Sequence, residues 1–262
     1  MTTAPNPVAL SSPFSSNPVI AEGQGDPVVF LHGPLGQEWS GFLDDLAADH
    51  RVFAPANPGI DEPAELDLLD GMHDLVLYYD ELFDNLGIGV PFDLVGHSYG
   101  GMVAAEYAAT YPRKVRKLVL IDSMGLWLDD APVGDFVTVA PEALAAQLWL
   151  DFDKPEVKER TTLSDDPAEA QAQVIHRFST IASAAHFTAP IPERGLSKRL
   201  RRVTAPTLLV WGAEDLLVPA VYAEEFRSRI DDAQVEIIEH ACHYPYVEQR
   251  EAVSRRVLEF LG

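Results

Sequence analysis

"PFDLVGHSYGGMVAAEYAATYP", residues 91–112, passes from a short apolar run through Gly-x-Ser-x-Gly into a stretch that reads as helix. The run "FDLVG" (92–96) is β-rich and "GMVAAEYAATYP" (101–112) is helical in pattern, so Ser98 falls where a strand becomes a helix. Such a turn is tight. Gly96 and Gly100, two residues to either side of Ser98, remove side chains that would collide with a serine held in a strained conformation with its Oγ exposed. In an open parallel sheet, ligands bind beyond the carboxyl ends of the strands, which is where Ser98 sits. The helix that follows aims free N–H groups at the same spot.

Working outward, the same rhythm recurs. "PVVFLHG" (27–33) and "RVFAPA" (51–56) read as strands with a helical pattern at 38–48 between them; "MHDLVLYYDELFDNLG" (72–87) is helical and "KLVLID" (117–122) a strand. Runs apolar on both faces, alternating with helices, predict a mostly parallel sheet flanked by helices. After Asp122 the rhythm stops. Residues 124–199 carry helical segments, several prolines and scattered aromatics (Trp127, Phe136, Trp149, Phe152, Phe178, Phe187) without a strand pattern. It resumes with "PTLLVWG" (206–212), a helix at 219–230, "QVEIIE" (234–239) and a helix at 246–261. The expected organisation is an α/β core of residues 1–123 and 200–262 with an inserted helical lid at 124–199. The opening "MTTAPNPVALSSPFSSNP" reads as a loose, Pro/Ser-rich lead-in.

Composition narrows the partners. With 262 residues, 47% of them hydrophobic, the chain can bury one large core. Its 41 acidic against 19 basic residues give a net charge of −22, which repels phosphate backbones and anionic membrane surfaces. No nucleic-acid or membrane partner is expected, only a small-molecule substrate. Only five of the basic residues are lysines, and the acidity fits either adaptation to salt or simple solubility. A lone Cys242 excludes an intramolecular disulfide and a multi-cysteine metal site, so a reduced, cytoplasmic protein is expected. No apolar run approaches a membrane span, and the first fifty residues hold no Lys or Arg, as a signal peptide's charged start would need. The oligomeric state is left open.

Gly96, His97, Ser98, Tyr99 and Gly100 in their strand-turn-helix setting resemble the nucleophile elbow of the α/β-hydrolase family. A serine hydroxyl is a poor nucleophile near neutral pH and needs a base, itself oriented by a third group. The resemblance implies the order Ser, acid, His. "VWGAEDLLVP" (210–219) resembles the family's acid-bearing turn and puts Asp215 in the acid position; "EHACHYPYVEQREAV" (239–253) resembles its histidine turn, with His243 as the base. Each has a rival. Asp122 also ends a strand on the catalytic edge, where some members of the fold carry the acid; its other reading is a cap for the start of the lid. His240 falls where a strand is ending, and Glu214 reads as a solvated loop carboxylate. His97 reads as a packing residue and Cys242 as a small buried apolar group. His176 and His186 fall in the lid, as pocket-lining or surface residues. The basic clusters "RKVRK" (113–117) and "SKRLRR" (197–202) read as solvated faces paired with acidic neighbours.

"FLHGPLG" (30–36) resembles the family's His-Gly loop, which gives the oxyanion hole one backbone N–H, the second coming from the residue after the nucleophile, here Tyr99. Pro34 follows His-Gly directly and has no N–H. The donor is therefore assigned to Leu35, with the loop shifted by one residue between Gly33 and Gly36. A second departure is "APANPGIDEPAE" (54–65), which keeps only Pro58 and Gly59 of the family's Asp-x-x-Gly-x-Gly-x-Ser loop.

What the resemblance implies is a serine hydrolase without metal or organic cofactor, cleaving an ester, thioester or lactone of a small apolar or aromatic acyl group through an acyl-enzyme. Pro34, Met124, Trp127, Trp149 and Phe187 are the candidate pocket residues. Serine at 98 argues against the haloalkane dehalogenases and epoxide hydrolases, which use Asp as nucleophile, and against dienelactone hydrolases, which use Cys. Carbon–carbon bond hydrolases and cofactor-free perhydrolases share the triad, although the glycine-rich oxyanion loop of the former is absent here. From another class, receptor-like members of the fold bind small molecules with a retained or decayed triad.

Overall fold

Short β-rich runs bounded by turn residues become eight strands: β1 (Asn6–Ala9), β2 (Ser16–Glu22), β3 (Pro27–Leu31), β4 (Arg51–Pro55), β5 (Phe92–His97), β6 (Val115–Ile121), β7 (Thr207–Gly212) and β8 (Ala233–Ile238). The computed structural model describes residues 4–262. The strands form one sheet in the order β1-β2-β4-β3-β5-β6-β7-β8. From β4 to β8 all neighbours are parallel, while β1 pairs with β2, and β2 with β4, antiparallel. Every residue of β5 is buried, as expected of a strand covered on both faces.

The register aligns the strand ends that matter. Leu31 pairs with Gly96, His97 with Ile121, and Ile121 with Val210, so the segments following β3, β5, β6 and β7 emerge on one edge. Ser98, Asp122 and the turn 213–215 lie there. The helix after β5, α3 below, is buried along Tyr99–Ala109, because it is apolar all round and sits at the centre of the fold.

The helices are α1 (Gly41–Ala47), α2 (Met72–Asn85), α3 (Tyr99–Thr110), α4 (Pro141–Leu148), α5 (Pro155–Thr161), α6 (Pro167–Thr188), α7 (Leu196–Arg199), α8 (Val221–Arg227), α9 (Pro245–Glu248) and α10 (Arg250–Leu261). Helices α4 to α7 make up the insertion between β6 and β7, in which the described residues contain no strand. Among the described residues, no helix is long and apolar enough to cross a membrane.

Two expectations are corrected. The N-terminal segment is not a loose lead-in: residues 6–22 form the β1–β2 pair at the sheet edge, with Pro7 opposite Pro18. Prolines argue against a central strand, but Pro7 lies on the outermost strand, where its missing N–H interrupts no ladder, and Pro18 faces β4 at the start of that pairing, its carbonyl accepting Ala56 N–H (3.1 Å). Buried Asn17 pins this pair inward, donating to the Ala56 carbonyl (2.8 Å) and to Tyr78 Oη (2.9 Å) and accepting from Ala56 N–H (3.2 Å). The C-terminal helix expected at 246–261 is broken at Gln249, whose backbone (φ −130°, ψ 47°) leaves the helical region and separates α9 from α10.

Several members of the basic clusters are paired with acids and carbonyls. Lys114 meets Asp80 and Asp84, Arg116 meets Asp93, Lys117 donates to the carbonyls of Phe260 and Leu261, and Arg199 forks onto Glu106.

Candidate active site

Ser98 bridges β5 and α3 with φ 55° and ψ −118°, a left-handed conformation that costs a non-glycine residue on the order of 1–3 kcal/mol. Its surroundings hold it there. The Ser98 N–H donates to the Ile121 carbonyl (2.9 Å), and its own carbonyl accepts from Met102 N–H (3.1 Å) and Met124 N–H (3.0 Å). The two flanking glycines are needed for close approach. A Cβ at Gly96 would come within 2.8 Å of Ala104 Cβ, and one at Gly100 would meet the His32 carbonyl oxygen at 2.5 Å.

Beyond β7, the Asp215 carboxylate is fixed by its own turn: Oδ1 accepts the N–H groups of Leu217 (2.8 Å) and Val218 (2.9 Å). Its other oxygen, Oδ2, lies 2.8 Å from His243 Nδ1, and His243 Nε2 lies 2.7 Å from Ser98 Oγ. A carboxylate only accepts, so Nδ1 carries the proton and Nε2 is left to accept from the serine hydroxyl. Ser98 and His243 are fully buried and Asp215 nearly so. The structure thus brings Ser98, Asp215 and His243 into one hydrogen-bonded chain.

The histidine turn is anchored to its neighbours. Glu214, expected as a solvated carboxylate, instead accepts Ala241 N–H (3.2 Å), while its own N–H donates to the Ala241 carbonyl (3.1 Å). His97, which read as a packing residue, donates Nε2–H to the His243 carbonyl at 2.7 Å. Burial and the adjacent His243 push His97 well below the usual histidine range, so it stays neutral with Nε2 as its donor. Residue type alone gave no sign of this bond. His240, exposed and at φ 58°, takes no part in the chain; its carbonyl accepts from Gln249 Nε2 (2.7 Å).

Asp122 stands beside this chain rather than in it. Oxygens of Asp122 and Asp215 and a nitrogen of His243 all lie within 4.8 Å of one another, but it is Asp215 that bonds the ring. Asp122 Oδ1 accepts Gly212 N–H (2.9 Å). Burial, then the Asp215 carboxylate beside it, push Asp122 well above the ordinary carboxylate range. Its other oxygen, Oδ2, is buried without a hydrogen-bond partner.

The loop after β3 brings Pro34 and Leu35 to the same edge in a turn closed by Gly36 N–H to the Gly33 carbonyl (3.4 Å). Among the described residues, no protein acceptor takes the N–H of Leu35 or of Tyr99. The turn is seated on His32. Asn57 N–H donates to His32 Nε2 (3.1 Å), so His32 must donate from Nδ1, and it does so to the Gly33 carbonyl (2.7 Å). Burial pushes His32 down to about 4, which keeps it neutral and able to accept.

The other residues singled out from the sequence scatter. Met124 is buried against the Ser98 carbonyl, Trp149 stacks on Tyr244 (4.5 Å between centroids, 22° between planes), and Phe187 stacks on Tyr99 (6.2 Å, 23°). Phe187 also lines a cavity of about 540 Å³ with His186, Arg194 and Arg199. Trp127 faces elsewhere, into a cavity of about 380 Å³ shared with Val133 and Phe136. Cys242 is buried, its thiol donating to the Gln147 carbonyl (3.1 Å) and pushed up to about 11 by burial. His186 Nε2 donates to the Leu69 carbonyl (2.8 Å), and His176 lies near Gly36.

Comparison with known proteins gives this geometry a family. The chain is 27% identical over 261 residues to the 2-hydroxy-6-oxo-6-phenylhexa-2,4-dienoate hydrolase of Burkholderia cepacia, covering 92% of this chain and 89% of the relative. Among solved structures it superposes on a thermophilic esterase from Thermogutta terrifontis (TM-score 0.77, 22% identity, 99% of this chain and 98% of the other). It also superposes on a meta-cleavage product hydrolase from Pseudomonas fluorescens IP01 (TM-score 0.72, 21% identity, 94% of each). Residues 28–256 match the model of the alpha/beta hydrolase family. That match spans the sheet from β3 onward, the serine turn and the histidine turn, and the chain belongs to the alpha/beta hydrolase family.

Proposed function

We propose that this hydrolase uses Ser98 to cleave a carboxylic ester of a small apolar or aromatic acyl group through an acyl-enzyme. The observation that carries the reading is the unbroken chain from Ser98 Oγ to His243 (2.7 Å) and on to Asp215 (2.8 Å). Ser98 attacks the acyl carbonyl while His243 Nε2 takes its proton. Asp215 holds the imidazole and stabilises the cation that forms. The N–H groups of Tyr99 and Leu35 receive the oxyanion. His243 returns the proton to the leaving alcohol, and water, activated by the same nitrogen, releases the acid.

The insertion acts as a lid on this reading. Trp149 and Phe187, stacked on Tyr244 and Tyr99, close the site over a triad that solvent does not reach, so substrate enters only when these contacts part. With Met124 and Pro34 they are the proposed walls of the acyl pocket.

A second reading is favoured by relatives such as the Burkholderia cepacia enzyme. The compound in that name has no ester, so its hydrolysis breaks a carbon–carbon bond. It also carries a carboxylate. Arg160, on the insertion beside Tyr246, is already committed to Glu38 (2.9 Å), which favours an uncharged ester. The test is a panel of p-nitrophenyl esters graded by acyl length, run beside 2-hydroxy-6-oxo-dienoates followed by loss of their absorbance. Ester turnover with inert dienoates supports the first reading. Dienoate turnover at higher kcat/KM replaces it with the second. Failure of a fluorophosphonate to label Ser98 would sink both.

A further inference from the structure

Glu248 is a buried carboxylate in α9, five residues after His243, and both its oxygens accept backbone N–H groups. Oε2 accepts from Cys242 (2.7 Å), the residue before His243. Oε1 accepts from Leu150 (2.8 Å) and Asp151 (3.0 Å), which follow α4 in the insertion. One carboxylate thus joins the insertion to the histidine turn, and bonds from N–H groups to an ionised acceptor are the stronger kind.

Three further contacts run between the same two segments. Lys154 Nζ donates to the Glu248 carbonyl, Cys242 Sγ–H donates to the Gln147 carbonyl (3.1 Å), and Trp149 stacks on Tyr244. Residues 147–154 therefore grip the turn on both sides of His243. We propose that Glu248 is a positioning residue through which the insertion sets the place of His243, so that moving the insertion moves the base. The inference rests on the serine-hydrolase reading for its catalytic consequence, though not for the placement itself. Misplacing a catalytic group by about 1 Å costs on the order of 10²-fold.

Two substitutions in the full-length protein test it. Glu248→Gln keeps the shape but turns an NH₂ group toward an N–H donor. Leu150→Pro deletes one N–H on the insertion side while leaving every side chain of the turn intact. Leu150 is itself half-exposed, and Trp149 before it already has the extended backbone (φ −129°, ψ 135°) that a following proline requires. Placement is read without substrate, from the far-downfield proton resonance of the His243 Nδ1–H bonded to Asp215. Catalysis is read as kcat and KM on p-nitrophenyl acetate. In both variants the resonance should shift or broaden. For Glu248→Gln, kcat should fall about 10- to 100-fold with KM within about 3-fold, and for Leu150→Pro several-fold.

A folded Glu248→Gln protein with an unchanged resonance overturns the proposal. So does a Leu150→Pro protein that keeps the wild-type resonance, because the insertion would then have no hold on His243. If Glu248→Gln does not fold, Leu150→Pro decides. A wild type that turns over no ester yet loses its resonance in both variants retains the positioning role and rejects the hydrolase reading alone.

Discussion

Asp122 and Asp215 bring carboxyl oxygens within 4.8 Å of each other on the buried edge of the sheet, and burial, then the Asp215 carboxylate beside it, hold Asp122 well above the ordinary carboxylate range. Only Asp215 faces the imidazole, with 2.8 Å between Oδ2 and Nδ1. Geometry decides which one serves His243, since Asp122 Oδ1 is taken by Gly212 N–H (2.9 Å).

Replacing Asp122 by Asn should leave kcat within about 3-fold, since the amide keeps the shape and can still accept Gly212 N–H. Stability should change with pH. A carboxyl whose pKa is raised on folding favours the native state fully below its unfolded pKa, and that contribution is lost as pH rises toward the folded value. The loss is about 1.4 kcal/mol for each pH unit. D122N removes this penalty, so it should raise the unfolding midpoint at pH 7, with a gain that shrinks toward zero near pH 4. Denaturant titrations of both proteins across that range would measure it; a kcat loss beyond about 100-fold would mean that Asp122 is the working acid.

Ser98→Ala and His243→Ala should each lower ester turnover by about 10⁴- to 10⁶-fold while leaving thermal unfolding near wild type. More than a tenth of wild-type activity in Ser98→Ala excludes the acyl-enzyme.

Pro34→Gly should leave turnover within about 3-fold of wild type, because position 34 has no N–H in the native protein and Leu35 supplies the donor. If the variant were instead faster by about 10-fold or more, a donor had been missing, since one oxyanion hydrogen bond is worth on the order of 10²- to 10³-fold.

His97→Phe should keep the ring packed against Tyr244 and Tyr246 while deleting the donor to the His243 carbonyl. We expect kcat down about 10-fold with KM steady, and a stability loss of about 1–3 kcal/mol from the orphaned carbonyl. Equal kcat in wild type and variant would reduce His97 to filler.

The sequence made the parallel core legible because strands buried on both faces leave runs such as "FDLVG" and "TLLVWG", and the serine turn because its glycines are forced by close approach. The hairpin at residues 6–22 was hidden, since Pro7 and Pro18 carry the signature of a loop; the outer edge makes Pro7 admissible, and beside Pro18 the Asn17 amide donates to the Ala56 carbonyl. The partners of His243 divide in the same way. Asp215 stood in a recognisable turn. The bond from His97, the amide contact of Glu214 and the role of Glu248 depend on segments up to 146 residues apart, which no local pattern encodes.

That hairpin reaches further than its position implies. Gln37 Nε2 donates to the Pro18 carbonyl (2.9 Å), and Asn17 grips Ala56, whose neighbour Asn57 seats His32 beneath the turn of Pro34 and Leu35. The family match begins only at residue 28, so by homology alone the first two dozen residues look expendable. Trimming them would strip β4 of one of its two partners and loosen, link by link, the footing of the loop that presents the Leu35 N–H. For this chain the safe boundary for cutting or fusing lies before Asn6.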